Sequence, residues 1–334
     1  MKATRRQMLS LATAAVFAPR AVHAEPQPPL IFAEFGPRPP DRAIYDQAID
    51  RGADFIVAPV VASKDGALIV APDIELSAFT DISSRVEFAD RRRQATVDGA
   101  PVSGWLASDF TGAELKSLVS SGAQPSRSHA TPPTLLALQD VIDAARAGSI
   151  RQARVVGIAV QLLHPAFFDA QDLALESRLA GLIRLAGYDS LAAAMMVMSR
   201  EPGPLTTLAG ASRVRRIQVL DAAGGPADPA APRFQAMAQP EGLDIVRKWA
   251  SAIAPEESML IQPGQKGAFA VSGLMEAARS AKLQILAREG ANPDGLRSRL
   301  TALFLAGVDG VMCQDVGQAV KARSAAMERL HPQS

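Results

Sequence analysis

The feature that most restricts the fold of this chain is a regular alternation of short aliphatic runs with longer stretches of helical period. The runs are "LIFAEFG" (30–36), "FIVAPVVA" (55–62), "VVGIAVQLL" (155–163), "AMMVMSR" (194–200), "RIQVLDA" (216–222), "SMLIQP" (258–263), "LQILAR" (283–288) and "VDGVMCQD" (308–315). Short runs that are apolar on both faces read as strands buried on both sides of a sheet. Such strands run parallel and need crossover helices, which the intervening amphipathic stretches supply. The eight runs predict an α/β chain folded as a TIM-type (β/α)8 barrel. After the second run come a tight Lys64-Asp65-Gly66 turn and "ALIVAPD" (67–73), predicted as an extra hairpin strand after strand 2. An open doubly wound sheet is the other architecture that the alternation allows.

Helix ends are readable at several places. Thr111 and Glu114 in "TGAELKSLV" have capping-box spacing, and Asn292-Pro293 opens "NPDGLRSRLTALFLAG", a helix predicted to stop at Gly307. The segment at about 74–132 follows neither period and reads as an insertion, with Arg91, Arg92 and Arg93 read as a solvated loop in preference to the other reading, a phosphate site. With 48% hydrophobic residues over 334 positions, residues 25–334 can bury the core of a single domain without disulfides. The lone Cys313 permits no internal bridge and reads as a packed core thiol.

The first 24 residues stand apart. A basic start, an apolar run from Met8 to Ala18 and the small-residue end Val22-His23-Ala24 have the layout of a cleavable export signal, too short to span a membrane. Arg5, Arg6 and Arg20 point to the twin-arginine route, with an ordinary secretory signal as the other reading. The expected location is therefore the periplasm. Cleavage after Ala24 removes Lys2, Arg5, Arg6 and Arg20 and no acid, taking the formal charge from +1 to −3. That charge predicts no nucleic-acid partner, and no cysteine near the signal offers a stable membrane anchor. Only His129, His164 and His331 remain after cleavage, which narrows acid–base and metal chemistry.

The segments "IFAEFG", "GADFIVAPVVASKDGALIVAPD", "TDIS", "FADRRR", "DFTGAELKSL", "PPTLLALQDVIDAA", "GIAVQLLHP" and "AGVDGVMCQDVGQAV" together resemble the glycerophosphodiester phosphodiesterase family, in that family's order, over nearly all of the chain after the signal. The resemblance implies a TIM-type barrel, a Ca²⁺ or Mg²⁺ ion near the strand ends and two histidines acting as acid and base. It also places those roles on residues that cannot fill them. Glu34 and Phe35 stand where the family has His-Arg, and Pro72 stands where its second histidine precedes Asp73. Val57, Pro59 and Gln161 stand at the metal acids, and Leu163 at a lysine. A hard dication needs several oxygen ligands, with carboxylates offsetting its dehydration, so the resemblance carries an expectation of no bound metal and no other cofactor.

The expected strand ends offer Glu34, Gln161, His164, Arg200, Gln218, Gln262, Arg288 and Glu289, with Asp73 on the hairpin and Asp315 after the last run. Arg288, Gln161, Gln218, Gln262 and Arg200 are the candidate ligand-binding set for a phosphorylated small molecule, because a guanidinium fork matches phosphate. Strand ends in any barrel are also polar simply because water reaches them. Glu34, Asp73 and His164 are the residual catalytic candidates. The two carboxyls read either as an acid–base pair or as a solvated rim, and His164 reads as a hydrogen-bonded loop residue or a catalyst. Three functional readings follow: a catalytically degenerate binding or scaffolding protein, a phosphoric diester hydrolase with a relocated site, and a platform for a protein partner whose identity the sequence does not give.

Overall fold

The computed structural model describes residues 28–120, 132–264, 269–290, 292 and 294–331. The export-signal reading and His129 lie outside the described residues. Eight parallel strands form the centre: β1 (Leu30–Ala33), β2 (Phe55–Ala62), β3 (Gly157–Leu162), β4 (Met195–Ser199), β5 (Arg215–Leu220), β6 (Ala252–Pro255), β7 (Gln284–Arg288) and β8 (Gly310–Cys313). Each pairs with the next along the chain, and β8 pairs back onto β1. The sheet is therefore a closed TIM-type barrel, which removes every edge of the parallel ladder.

The period-2 alternation of strand side chains divides the core in two. Phe32, Phe55, Val57, Ala159, Met196, Met198, Ile217, Val219, Ala252, Ala254, Leu286 and Met312 form one buried cluster, the filling of the barrel. Phe32 and Phe55 stack there at 4.7 Å. Residues of opposite parity, such as Ile31, Ile56, Val160 and Ile253, join the helices in a second cluster outside the wall. Burying each large aliphatic side chain contributes about 1.5–3 kcal/mol, so the runs were apolar on both faces because both faces are covered.

Seven of the eight expected runs coincide with strands, with ends trimmed by up to three residues and β5 starting one residue early at Arg215. The sixth does not. The barrel strand is Ala252–Pro255, while Glu257–Leu260 is one helical turn and Ile261–Pro263 pairs antiparallel with Phe269–Val271 outside the barrel. Small residues at 252 and 254 suit a crowded lumen, so "AIAP" pairs with both neighbours although its composition carries little strand propensity.

The hairpin strand forms over Leu68–Val70, antiparallel to β2. Gly66 takes φ +83° in the connecting turn, the left-handed conformation that favours glycine, and the Arg178 guanidinium lies over the space a Cβ would take. The capping box forms as expected, with Thr111 capping Gly112–Lys116. The helix Leu296–Ala306 ends at Gly307, at φ +83°. The insertion is more ordered than a solvated loop. Val86–Arg91 is a 3-10 turn, and Arg93–Val97 pairs with Ala100–Gly104 in a hairpin. Arg91 bonds Glu114 at 2.9 Å, Arg93 grips Asp109 with two bonds of 2.7 and 3.0 Å, and Arg92 lies over Trp105. Apart from the Phe88 ring under Arg91, the partners of the arginine run, Trp105, Asp109, Phe110 and Glu114, lie thirteen or more residues away, which local charge patterning does not reveal.

Candidate functional site

Continuing each barrel strand by two residues beyond its uppermost buried lumen side chain gives the layer that faces the mouth: Glu34, Pro59, Gln161, Arg200, Asp221, Glu256, Arg288 and Gln314. Several backbone bonds carry the ladder to this level, among them Glu34 N–H to Cys313 O at 2.9 Å and Glu256 N–H to Leu220 O at 3.1 Å. Strand C-termini in this architecture end at the functional face. On the β2–β3 side the layer is Pro59 beside Gln161, in register, above Val57 beside Ala159.

The opposite side is ionic. Arg288 is only 13% exposed and its guanidinium bonds the Asp221 carboxylate and the carbonyls of Leu220 and Ala254, with Glu256 at 3.8 Å. Arg200 reaches the other oxygen of Asp221 at 2.8 Å from a more exposed position. Asp221 thus holds both arginines. Burial raises the pKa of Glu34, Arg288 and Arg200 oppose the rise, and Glu289 adds to it. Burial also raises Glu289, partly offset by the bond it accepts from the Gln314 N–H. Two cations therefore face four carboxyls, of which two bind protons more readily than usual.

A second polar cluster lies at the end of β3. His164 takes a left-handed conformation at φ +48° and caps Pro165–Asp169. Its Nε2 is 3.2 Å from Asp73 and its Nδ1 2.6 Å from Asp98, the tip of the inserted hairpin. Asp98 also has a positive φ, which the two-residue Asp98-Gly99 turn demands. Burial alone would lower the His164 pKa, but the hydrogen bonds and charges of Asp73 and Asp98 raise it to about 9. The same contact holds Asp73 below its ordinary value against the effect of burial. Glu201, buried after β4, accepts the N–H groups of Ala227 and Asp228 and pins the loop above β5.

The site residues expected from sequence fall into separate places. Arg200 and Arg288 meet on Asp221 and act on Glu34 through their charges, whereas Asp73 meets His164; no hydrogen bond or ion pair among the described residues joins Glu34 to Asp73. Gln218 does not reach the mouth. It points outward between Ile217 and Val219, donates to the carbonyls of Ser199, Arg200 and Val219 and accepts from the Trp249 indole. Gln262 sits exposed on the outer hairpin, a consequence of the displaced sixth strand. Phe35 packs edge-on to Tyr45 and Leu163 packs against the outer core. Pro72 precedes the His164-bonded Asp73, and Asp315 caps Val316–Leu330. Asp221, Glu256 and Asp98 escaped the sequence reading, although the Asp-Gly hairpin signal in "VDGAP" and the lumen parity of Asp221 in "RIQVLDA" were present.

Where the resemblance places metal ligands, Val57 is buried in the lumen filling, Pro59 lacks a side-chain oxygen and Gln161 brings one neutral amide. That donor set does not fit Ca²⁺ or Mg²⁺. Among the described residues, no group of three or more His, Cys, Asp and Glu side chains is arranged to hold a metal ion.

The sequence profile of the glycerophosphoryl diester phosphodiesterase family matches residues 43–318. A curated relative, glycerophosphodiester phosphodiesterase GDPD6 of Arabidopsis thaliana, is 36% identical over 129 residues, covering 38% of this chain and 34% of that protein, so the match spans about a third of the relative's length. A glycerophosphodiester phosphodiesterase structure from Agrobacterium tumefaciens superposes with a TM-score of 0.58 at 17% identity, covering 88% of this chain and all of the other. An Oleispira antarctica phosphodiesterase in complex with the product sn-glycerol-3-phosphate gives 0.60 at 18% identity, covering 89% and 97%. At these identities the structural likeness is one of fold.

Proposed function

Because the chain belongs to the glycerophosphoryl diester phosphodiesterase family, we propose that it keeps the barrel of that family without its metal-dependent hydrolysis and acts in the periplasm as a binding protein. The observation that carries this reading is the β2–β3 side of the mouth, where Val57, Pro59 and Gln161 offer one neutral amide in place of carboxylates. Hydrolysis of a phosphodiester needs an activated nucleophile, a proton for the departing alkoxide and neutralisation of the phosphate; each positioned acid or base is worth roughly 10²–10⁴-fold. Glu34 and Pro72 provide no imidazole at the corresponding places.

The ligand class proposed for the mouth is a small phosphate-bearing anion held by Arg200 and Gln161, with Arg288 acting through Asp221. With two cations against four carboxyls, such an anion binds better when Glu34 and Glu289 are protonated. The His164–Asp73 contact supports the second reading, a relocated acid–base pair in a working hydrolase.

Hydrolysis of glycerophosphodiesters, followed from pH 5 to 9 with and without added divalent cation, tests the choice, alongside thermal shifts with the same compounds. The expected result is background turnover together with a ligand-dependent rise in melting temperature at the acid end. Turnover abolished by His164→Gln or Asp73→Asn overturns the binding-protein reading in favour of the hydrolase.

A further inference from the structure

We propose that a second, basic pocket, built by the insertion and the Lys64-Asp65-Gly66 turn, binds a phosphomonoester group. It has a volume of about 570 Å³ and shares no lining residue with the barrel mouth, so it stands independently of what the mouth does.

Its walls are fixed before any ligand arrives. The Lys64 N–H donates to Phe110 O at 2.7 Å, and the Asp65 carboxylate accepts from the Gly112 N–H at 2.8 Å and from the Ser63 hydroxyl at 2.5 Å. The turn that presents Lys64 is thereby fastened to the insertion, and a preformed site loses little ordering entropy on binding.

The charges divide into spent and unspent. Arg91 is matched by Glu114 and Arg93 by Asp109. The Lys64 ammonium has no ion-pair partner among the described residues, and Arg92 is held only over the Trp105 ring, 5.8 Å from its centroid. Trp105 is itself fixed by its indole N–H bond to Phe88 O at 2.7 Å. Against these two cations stands the carboxylate of Asp90, so the lining residues keep one positive charge in excess, while the Asp65 carboxylate of the supporting turn is taken up by the Ser63 hydroxyl and the Gly112 N–H. Ser108, another lining residue, has a buried hydroxyl without a hydrogen-bond partner.

A carboxylate brings one charge and two oxygens. A phosphomonoester at neutral pH brings close to two charges and three acceptor oxygens, enough to engage the ammonium and the guanidinium and still outweigh repulsion from Asp90. At about 570 Å³ and open to solvent, the pocket leaves room for an organic remainder. A soluble phosphomonoester and the headgroup of a phosphatidic-acid-type lipid share this chemistry.

Calorimetric titration of the full chain with phenyl phosphate, and co-sedimentation with phosphatidylcholine vesicles with and without phosphatidic acid, test the proposal. The variants are Lys64→Gln and Arg92→Gln, whose side chains carry no folding contact beyond the ring stacking, with Arg200→Gln as the mouth control. Saturable binding in at least one arm, weakened about tenfold by each pocket variant and untouched by Arg200→Gln, is the expected result; the arm that shows it identifies a soluble or a lipid source. Binding in neither arm, or binding that both pocket variants leave intact while their melting temperatures match the parent, overturns it.

Discussion

His164 Nδ1 lies 2.6 Å from Asp98 Oδ2 while its Nε2 lies 3.2 Å from Asp73 Oδ1, so one imidazole ties the end of β3 to the inserted hairpin and to the hairpin strand after β2. Both ring nitrogens face carboxylates, and both can donate only in the protonated ring. An imidazolium therefore fastens the insertion to the rim. Glu201 and Asp228 extend the acidic surroundings, since the charge of Asp98 reaches Glu201.

This clamp makes stability depend on pH. The folded His164 titrates at about 9, above its ordinary 6.5, so its contribution is complete below about 6.5 and is lost as pH rises through 9. Replacing His164 by Gln is expected to lower unfolding free energy by about 1–3 kcal/mol at pH 6 and to remove most of the decline between pH 6.5 and 9.5. Urea denaturation of both proteins at the two ends of that range measures it. An unchanged slope in the variant excludes the imidazolium clamp.

Metal content is the next measurable consequence. With Val57, Pro59 and Gln161 at the positions of the family's acids, purified protein is expected to hold no stoichiometric Ca²⁺ or Mg²⁺, and EDTA to leave its melting temperature unchanged. Elemental analysis finding about one tightly bound ion per chain contradicts this. Glu34, Asp73 and Glu289 are then the first residues to mutate.

Much of the barrel was legible because burial on both faces forces continuous aliphatic runs, and runs such as "FIVAPVVA" match β2 residue for residue. The sixth strand was not. "AIAP" owes its conformation to pairing with β5 and β7 and not to its own propensity, while the more strand-like "SMLIQP" finds no place in the ladder. The site followed the same division. Arg288 could be placed at a strand end from its own run, but its attachment to Asp221 crosses 67 positions and depends on the shear of three strands. Gln218 has the right residue type and the wrong parity, a one-residue error that turns a side chain from lumen to wall.

Export can be separated from fold. If Arg5 and Arg6 belong to a twin-arginine signal, replacing both with Lys is expected to leave uncleaved protein in the cytoplasm, read by fractionation and by the mass of the chain. Undiminished delivery and cleavage after Ala24 points to the general secretory route. Retention of the parent protein in the cytoplasm contradicts the export reading altogether.

The two arginines on Asp221 are expected to separate stability from binding. Arg288 is largely buried and bonds carbonyls of β5 and β6 from the end of β7, so it holds three strands together as well as neutralising Asp221. Arg288→Ala leaves a carboxylate that is 17% exposed with only the outer guanidinium of Arg200, and removing one member of a buried pair costs roughly 3–5 kcal/mol. Arg200 is 53% exposed, and its loss is expected to cost about 1 kcal/mol or less. Ligand binding at the mouth is expected to rank the other way per unit of stability lost: Arg200→Ala abolishes the phosphodiester-dependent thermal shift in a protein that melts near the parent temperature. The control is Asp221→Asn, which frees both guanidinium groups from their shared carboxylate and is expected to strengthen anion binding while weakening the fold. Equal destabilisation by Arg288→Ala and Arg200→Ala contradicts the strand-stapling role of Arg288, and a thermal shift that survives Arg200→Ala removes the mouth from the binding reading.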